Sequence, residues 1–467
     1  MSQAFPYESP RVSPVSALRS LRVRLKGAVV EPGRYGWDAA TQAFNLTVVQ
    51  QPALVALPAD VEDVIEIVAF ARANGLQVAA QRTGHNAEPL GALDDVILVK
   101  TDNLKGVEID AGRRIARVGA GSKWADVVPP ASDLGLAALH GSTPDVSVAG
   151  YSLGGGVGWY ARKLGLSANS VAAIELVTAD GRLRRVDADT DADLFWALRG
   201  GGGNFGVVTA LEVELHAIPD IYAGVLFFPW ERSSEVLHSW LEWTDTVPDE
   251  VTSVGRILQF PPLEEIPEPL RGGKFAIVEA VYMGDEASGS DLLGPLRDLG
   301  PAMDTFAMVA PADIAELHMD PPQPVPYTGE GQMLGRLDGE AVDRFVAAAG
   351  PESGSPLVSA ELRHVGGSLS RPQPHHGALS TLDADYLTFA VGMVLNEEVY
   401  RANRSQLDEI ADALGPYDNG RSYMNFAERR TDPARFYTAA VHRRLREVKR
   451  AFDPGDLFRA NHPIAPA

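Results

Sequence analysis

The stretch ALVALPADVEDVIEIVAFARANGLQVAAQ, residues 53–81, sets the fold class. It reads as strand, helix, strand. Asp60 is placed to cap the helix, because a carboxylate before the first turn accepts one of the unpaired N–H groups there. Val64, Ile67, Val68 and Ala71 recur at helical spacing and form an apolar stripe. Asn74-Gly75 supplies the stop, since glycine takes the left-handed conformation that closes a helix. The second strand ends at Gln81, where a polar loop containing glycine begins.

Outward from this unit come VILVKT (96–101), GVEID (106–110) and RIARVGAG (114–121), then two strands, SVAAIELVTADG and RLRRVDA, around an Ala-Asp-Gly turn. A capped helix, DADLFWALRG, and a strand, GVVTALEVELHAI, close the region near Pro219. Strands and helices mixed with hairpins predict an α+β fold, not a repeating βαβ sheet. From Ile221 to Arg421 the segments GVLFFPW, SVGRILQF, KFAIVEAVYMG, LVSAELRHVG and YLTFAVGMVL are strand-like and separated by helical runs. They predict an antiparallel sheet covered by helices on one face. A final helix, DPARFYTAAVHRRLREVKRAF, presents Tyr437, Val441, Leu445 and Val448 along one side. The expected division is an irregular extension (1–47), a first domain (48–219), a second (220–421) and a C-terminal segment (422–467) that returns to the first.

The chain has 467 residues, and its 41 basic against 62 acidic side chains give a formal charge of −21. Phosphate backbones and anionic lipid surfaces are repelled on average, so nucleic acid and membrane are not expected partners. With no cysteine there is no disulfide, thiolate metal site or cysteine nucleophile. The first residues lack the apolar core of a secretory signal, and no apolar run approaches the ~20 residues of a membrane span. The expectation is a soluble, cytoplasmic protein acting on a small molecule, of unspecified oligomeric state.

Glycine-rich loops dominate the first half: RTGHN (82–86), GAGS (119–122), GSTPDVSVAGYSLGGGVG (141–158) and GGGGNFG (200–206). Glycine lets backbone N–H groups converge on a pyrophosphate, so several such loops point to a large phosphorylated cofactor. Gly201, Gly203 and Gly206 spell G-x-G-x-x-G, but they follow a helix and precede a strand, the reverse of a dinucleotide fingerprint. Nicotinamide binding is rejected on that order. No G-x-S-x-G elbow supports hydrolysis, and the His375-His376 pair lacks the spacing of a metal site, so no metal is expected. His85, in a short loop at a strand end, is the most reachable titratable group, and a free imidazole there is nucleophilic.

Taken in order, QRTGHN, HGSTPDVSVAGYSLGGGVGWYARKLGL, LVTADGRLRRVDADTDADLFWALRGGGGNFGVVTALEVEL and the terminal SYMNF…RLREVKRAFDPGDLFRANHPI resemble FAD-linked oxidases of the berberine-bridge-enzyme type, on the p-cresol methylhydroxylase or vanillyl-alcohol oxidase fold. The resemblance covers Leu54–Val213 and Ser422–Ile464. It implies a two-lobed FAD-binding domain and a substrate domain whose antiparallel sheet roofs the flavin. It also implies that Gln81, Arg82, Thr83, Gly84, His85 and Asn86 contact FAD, with His85 matching the histidine joined to the flavin 8α carbon. The second, cysteine link of many relatives falls at Thr143 and is excluded. The same resemblance places Gly141, Ser142, Thr143, Val146, Gly150 and Tyr151 at the cofactor, with Tyr151 where the family has a histidine. Gly154, Gly155, Gly156, Gly158, Gly206, Val207, Val208 and Asn425 complete the implied cofactor contacts.

The implied reaction is hydride transfer to flavin N5 from an alcohol or C–N centre of a sugar or secondary metabolite, with O2 returning H2O2. Tyr423, in Tyr-x-Asn-Phe, is the expected base if a neighbour lowers its pKa from about 10. It also counts as a cofactor contact. Arg363 and Tyr386 are expected to bind or assist, and Val146 falls at the position that gates dioxygen. Two alternatives stay open: a dehydrogenase with non-covalent FAD and another acceptor, and a non-catalytic binding protein on a degenerate flavin fold.

Overall fold

The computed structural model describes residues 14–264 and 266–467. The opening strand-helix-strand unit forms as its caps dictate. Asp60 accepts the N–H of Asp63, the helix runs Val61–Asn74, and Gly75 closes it at φ 68°. Strands Leu54–Leu57 and Gln77–Gln81 are not neighbours, because Val96–Lys100 lies between them and pairs with both in parallel. Val64, Ile67, Val68 and Ala71 are fully buried against this sheet. Burying each larger side chain contributes about 1.5–3 kcal/mol.

The expectation of an irregular start needs correction within residues 14–47; the first thirteen lie outside the described residues. Pro14–Arg24 is a helix, and Ala28–Val30 is an antiparallel edge strand on Leu54–Leu57. Three residues are too few for periodicity to register. A second, wholly antiparallel sheet orders Val107–Asp110, Ile115–Gly119, Val207–Glu214, Val171–Val177 and Leu183–Asp187.

The middle of the chain forms an eight-stranded antiparallel sheet with Val251–Gln259, Ser359–His364 and Tyr386–Met393 at its centre. Helices Ser233–Thr244, Glu286–Arg297, Gly339–Ala349 and Glu397–Ala413 pack on one face through Trp240, Leu296, Phe345 and Ile410. Three strands escaped the sequence reading, the short Met303–Asp304 and Ala307–Val309 and the longer Tyr327–Leu334. In Tyr327–Leu334 the sequence YTGEGQML has no apolar run, and Gly331 is needed because a Cβ there would lie 2.9 Å from Phe426 Cβ.

The last residues return to the first sheets. Helix Ala439–Phe452 buries Leu445 and Val448 beside the second sheet, and Phe458 bridges to Val78 at the edge of the first. The architecture is α+β, with two small sheets and one large helix-backed sheet facing each other across a cleft.

Candidate active site

The cleft holds a cavity of about 870 Å³, lined by the loops of the two small sheets, the open face of the large sheet and the C-terminal segment. The loop after Gln77–Gln81 enters it under restraint from several sides. Buried Lys100 donates to Gln81 Oε1 at 3.0 Å. Arg82 donates to the Gly121 carbonyl and pairs with Asp102, both at 2.7 Å. Gly84 sits at φ 80° with its missing Cβ only 3.0 Å from Ala43, a conformation and a space that suit glycine alone.

These restraints aim His85. Its ring stacks on Phe44 with centroids 3.7 Å apart, and its Nε2 lies 3.1 Å from Asp145 Oδ2. Its carbonyl accepts from the Tyr327 hydroxyl at 2.8 Å, and Asn86 donates to the Met424 and Ala427 carbonyls of the C-terminal segment. Asp145 was not singled out from sequence, since nothing in STPDV marks its carboxylate as aimed back across sixty residues.

Gly141, Ser142, Thr143, Val146, Gly150, Tyr151 and Gly154 line the cavity, as do Gln81–Asn86, Gly206, Val208, Tyr423 and Asn425. Gly155, Gly156, Gly158 and Val207 do not. A Cβ on Gly155 would press Leu379 and the Tyr423 ring, one on Gly156 the Tyr151 ring, and one on Gly158 the His140 carbonyl. These three glycines admit close packing behind the wall. Val207 points into the core between the two small sheets, opposite to Val208, as alternation along a strand requires.

His140, which leads into this wall, is fully buried and donates from Nδ1 to the Gly141 carbonyl at 2.6 Å. Burial lowers its pKa from 6.5 to about 4. The folded state thus binds fewer protons than the unfolded chain below pH 6.5, and stability present above that pH is lost as pH falls towards 4. His140→Gln keeps a donor and cannot titrate. Thermal midpoints are expected to fall less for this variant than for the wild type between pH 7 and 5, by the equivalent of about 2 kcal/mol.

The large sheet supplies the opposite wall. On Ser359–His364, residues 359, 361 and 363 face the cavity while Ala360 and Leu362 face the helices. Arg363 therefore lies at the cavity, as expected, and its guanidinium donates to Glu361 Oε1 at 2.8 Å. Tyr386 does not reach the site. It shares the helix-facing side of its strand with Ala390, and its hydroxyl meets Thr244 at 2.6 Å beneath Trp240.

A buried charged chain unread in the sequence completes this wall. His318 Nδ1 lies 2.6 Å from Glu279 and its Nε2 2.9 Å from Glu361, while Arg256 donates to the His318 carbonyl at 2.7 Å and to Glu279 at 3.2 Å. Burial pushes the Glu361 carboxyl up, but Arg363, His318 and Arg256 outweigh it and bring it down to about 2. Burial and Arg256 push His318 down, and the surrounding carboxylates lift it to about 9. Thr143 reaches across from the glycine-rich wall to donate to Asp320.

Tyr423 stands where the walls meet. Its hydroxyl oxygen accepts from the Val157 N–H at 3.0 Å and from Asn425 Nδ2 at 3.1 Å. Burial nonetheless drives its pKa upward, so the lowered value the sequence reading required is not supplied by the protein groups around it.

A large polar cofactor suits the cavity's chemistry. Gln81 Nε2, Asn86 Oδ1, the Tyr151 hydroxyl, Arg363 Nε, Glu428 Oε2 and both His462 nitrogens are buried without partners, and all six residues line it. Buried polar groups go unmatched at a cost, so such a concentration marks a place where a ligand supplies the partners.

Comparison with known proteins agrees. Residues 52–187 match a family described as FAD binding domain, and residues 422–465 one described as berberine and berberine like. The chain is 28% identical over 460 residues to (R)-6-hydroxynicotine oxidase of Paenarthrobacter nicotinovorans, covering 95% of this chain and 97% of that one. It is 33% identical to glucooligosaccharide oxidase of Sarocladium strictum over 46% of this chain and 45% of the relative. The solved structure of Physcomitrella patens BBE-like 1 superposes with a TM-score of 0.83 at 20% identity, covering 96% and 99% of the two chains. Among the described residues no helix is long and apolar enough to cross a membrane. With an FAD binding domain over residues 52–187, a berberine-like segment over residues 422–465 and similarity to an FAD-linked oxidase along 95% of its length, the chain is an FAD-linked oxidoreductase that resembles the berberine-bridge-enzyme type.

Proposed function

We propose that this oxidoreductase is an oxidase that removes two electrons from an alcohol or C–N centre of a small molecule and passes them to O2. The observation that carries the reading is the meeting, across one cavity, of the restrained His85 loop with a wall bearing Glu361, Arg363 and Tyr423. The names of the relatives, a hydroxynicotine oxidase and a glucooligosaccharide oxidase, support oxidation at C–N and C–O centres.

FAD, when bound, supplies the two-electron acceptor and the route to O2. The loops from 81 to 86 and from 141 to 154, with Asn425, would hold it. His85 is the residue proposed to bear it covalently: Nε2 is engaged by Asp145, leaving Nδ1 as the nitrogen without a hydrogen bond. Thr143 offers no second attachment.

The chain's own groups divide the proton work. Tyr423, kept protonated by burial, donates a hydrogen bond to the reacting oxygen or nitrogen. Glu361, kept ionised by the cations around it, takes the proton that departs. Arg363 orients the substrate through its unmatched Nε. This assigns Tyr423 hydrogen bonding in place of the base role expected from its motif.

The test is direct. Purified protein is expected to be yellow, to release H2O2 on turnover, and to keep its flavin as a fluorescent band on a denaturing gel. His85→Ala is expected to lose that band entirely. Flavin freed from the wild type by acid would overturn the His85 bond, and a colourless protein would overturn the oxidase reading altogether.

A further inference from the structure

The cavity-facing rows of the large sheet change character from the inside outwards. Strand register aligns Arg256, Glu361 and Phe389 in one cross-strand row, and Leu258, Ser359 and Val391 in the next. Beyond these lie Phe260 and Met393. The inner row and its neighbour Arg363 carry charge that is 2–6% exposed. At the mouth, Leu263 is 52% exposed and Leu395 79% exposed, with Pro261, Pro262 and Ile266 beside them.

The outer rows offer almost nothing to a hydroxyl group. Ser359 is the one polar side chain in its row, and its Oγ is already taken by Arg256 Nε at 2.7 Å. Gly329, paired opposite Val391, has no side chain, and the prolines at the mouth have no N–H to give. A sugar ring lodged against the row of Leu258, Ser359 and Val391, the first two of them buried, would turn hydroxyls to a wall with no partner for them, each lowering affinity about fivefold or more. An alkyl or aryl group would instead gain from every carbon buried. At the inner end the demand reverses, because Arg363 Nε is a buried donor with no partner.

We propose that the substrate is an amphipathic small molecule, with a ring or chain of apolar carbon lying along Leu258, Val391, Met393 and Leu395 and one hydrogen-bonding end at Glu361 and Arg363, and that saccharides are not substrates. This rests on the oxidase reading only in taking this cavity as the place where substrate binds. It separates the chain from its oligosaccharide-oxidising relatives by the chemistry of one wall.

The experiment titrates purified holoenzyme with benzamide and its 4-methyl, 4-ethyl, 4-propyl and 4-butyl derivatives, which carry a hydrogen-bonding end and no oxidisable carbinol. Cellobiose is the saccharide probe. Binding is read from perturbation of the visible flavin band and, separately, from the thermal midpoint. Affinity is expected to rise about fourfold per added methylene, while cellobiose at a hundredfold higher concentration moves neither signal. Val391→Ser, and the gentler Leu395→Ser on an exposed site, are expected to flatten the alkyl series. An alkyl series flat in the wild type, or cellobiose binding comparable to the butyl compound, overturns the proposal. The thermal signal needs no colour, so a protein lacking flavin would sink the cofactor reading and still report the series.

Discussion

Glu361→Gln is expected to lower kcat by about two to four orders of magnitude, the usual contribution of a positioned proton acceptor, with a much smaller change in KM. The carboxylate lies on the cavity wall, 2% exposed, with Arg363 at 2.8 Å and His318 at 2.9 Å. An amide keeps the shape and the contact with Arg363 but accepts no proton. The pH profile distinguishes this assignment from its competitor. Glu361 is ionised from about pH 2 upward, so its protonation adds no rise in kcat/KM between pH 5 and 8. A phenol acting as base would give a rate that climbs with pH towards and beyond 10, because burial raises Tyr423 above its ordinary value. Tyr423→Phe should accordingly cost less than Glu361→Gln. Equal activity of Glu361→Gln and wild type, at unchanged flavin content, would remove Glu361 from the reaction.

The second large effect is on stability. Lys449 and Asp453 are both fully buried and lie 2.6 Å apart within the C-terminal segment. Lys449 also donates to the Asn204 carbonyl at 2.9 Å, while Asp453 accepts from the N–H groups of Leu457 and Phe458 at 2.8 and 3.0 Å. Asp453→Ala leaves a buried ammonium with only the half-exposed Asp456, at 3.0 Å, as counter-charge, and two buried N–H groups without an acceptor. The expected cost is about 3–5 kcal/mol, measured as a loss in urea-unfolding free energy. Lys449→Met combined with Asp453→Leu should cost less than the sum of the single changes, since removing both charges avoids the uncompensated one. Simple additivity would mean that the pair is not coupled.

How far the sequence was legible depended on whether a feature was local. The Asp60 and Gly75 caps, the stop at Gln81 and the helix-before-strand order around Gly201–Gly206 are short-range, and the structure has them as read. The His85 loop was found because glycine, histidine and a strand end sit together in the chain. Asp145, His318, Glu361 and Arg256 were not, because they converge from separate elements with no shared spacing. Tyr386 was misplaced for another reason. YLTFAVGMVL is apolar almost throughout and so shows no alternation of residue type to say which side chains face the cavity. Only pairing with Ser359–His364 fixes that choice.

The two ends of the binding loop's support are far apart in synthesis order. Asn86 gives its carbonyl to Asn461, which lies 375 residues later. At a ribosomal pace of about 5–20 residues per second, the nascent chain carries the 81–86 loop without this C-terminal contact for roughly 20–75 s. A truncation that spares every glycine-rich loop but removes Asn461 is therefore expected to hold less FAD than the full chain, read as flavin absorbance per mole of purified protein.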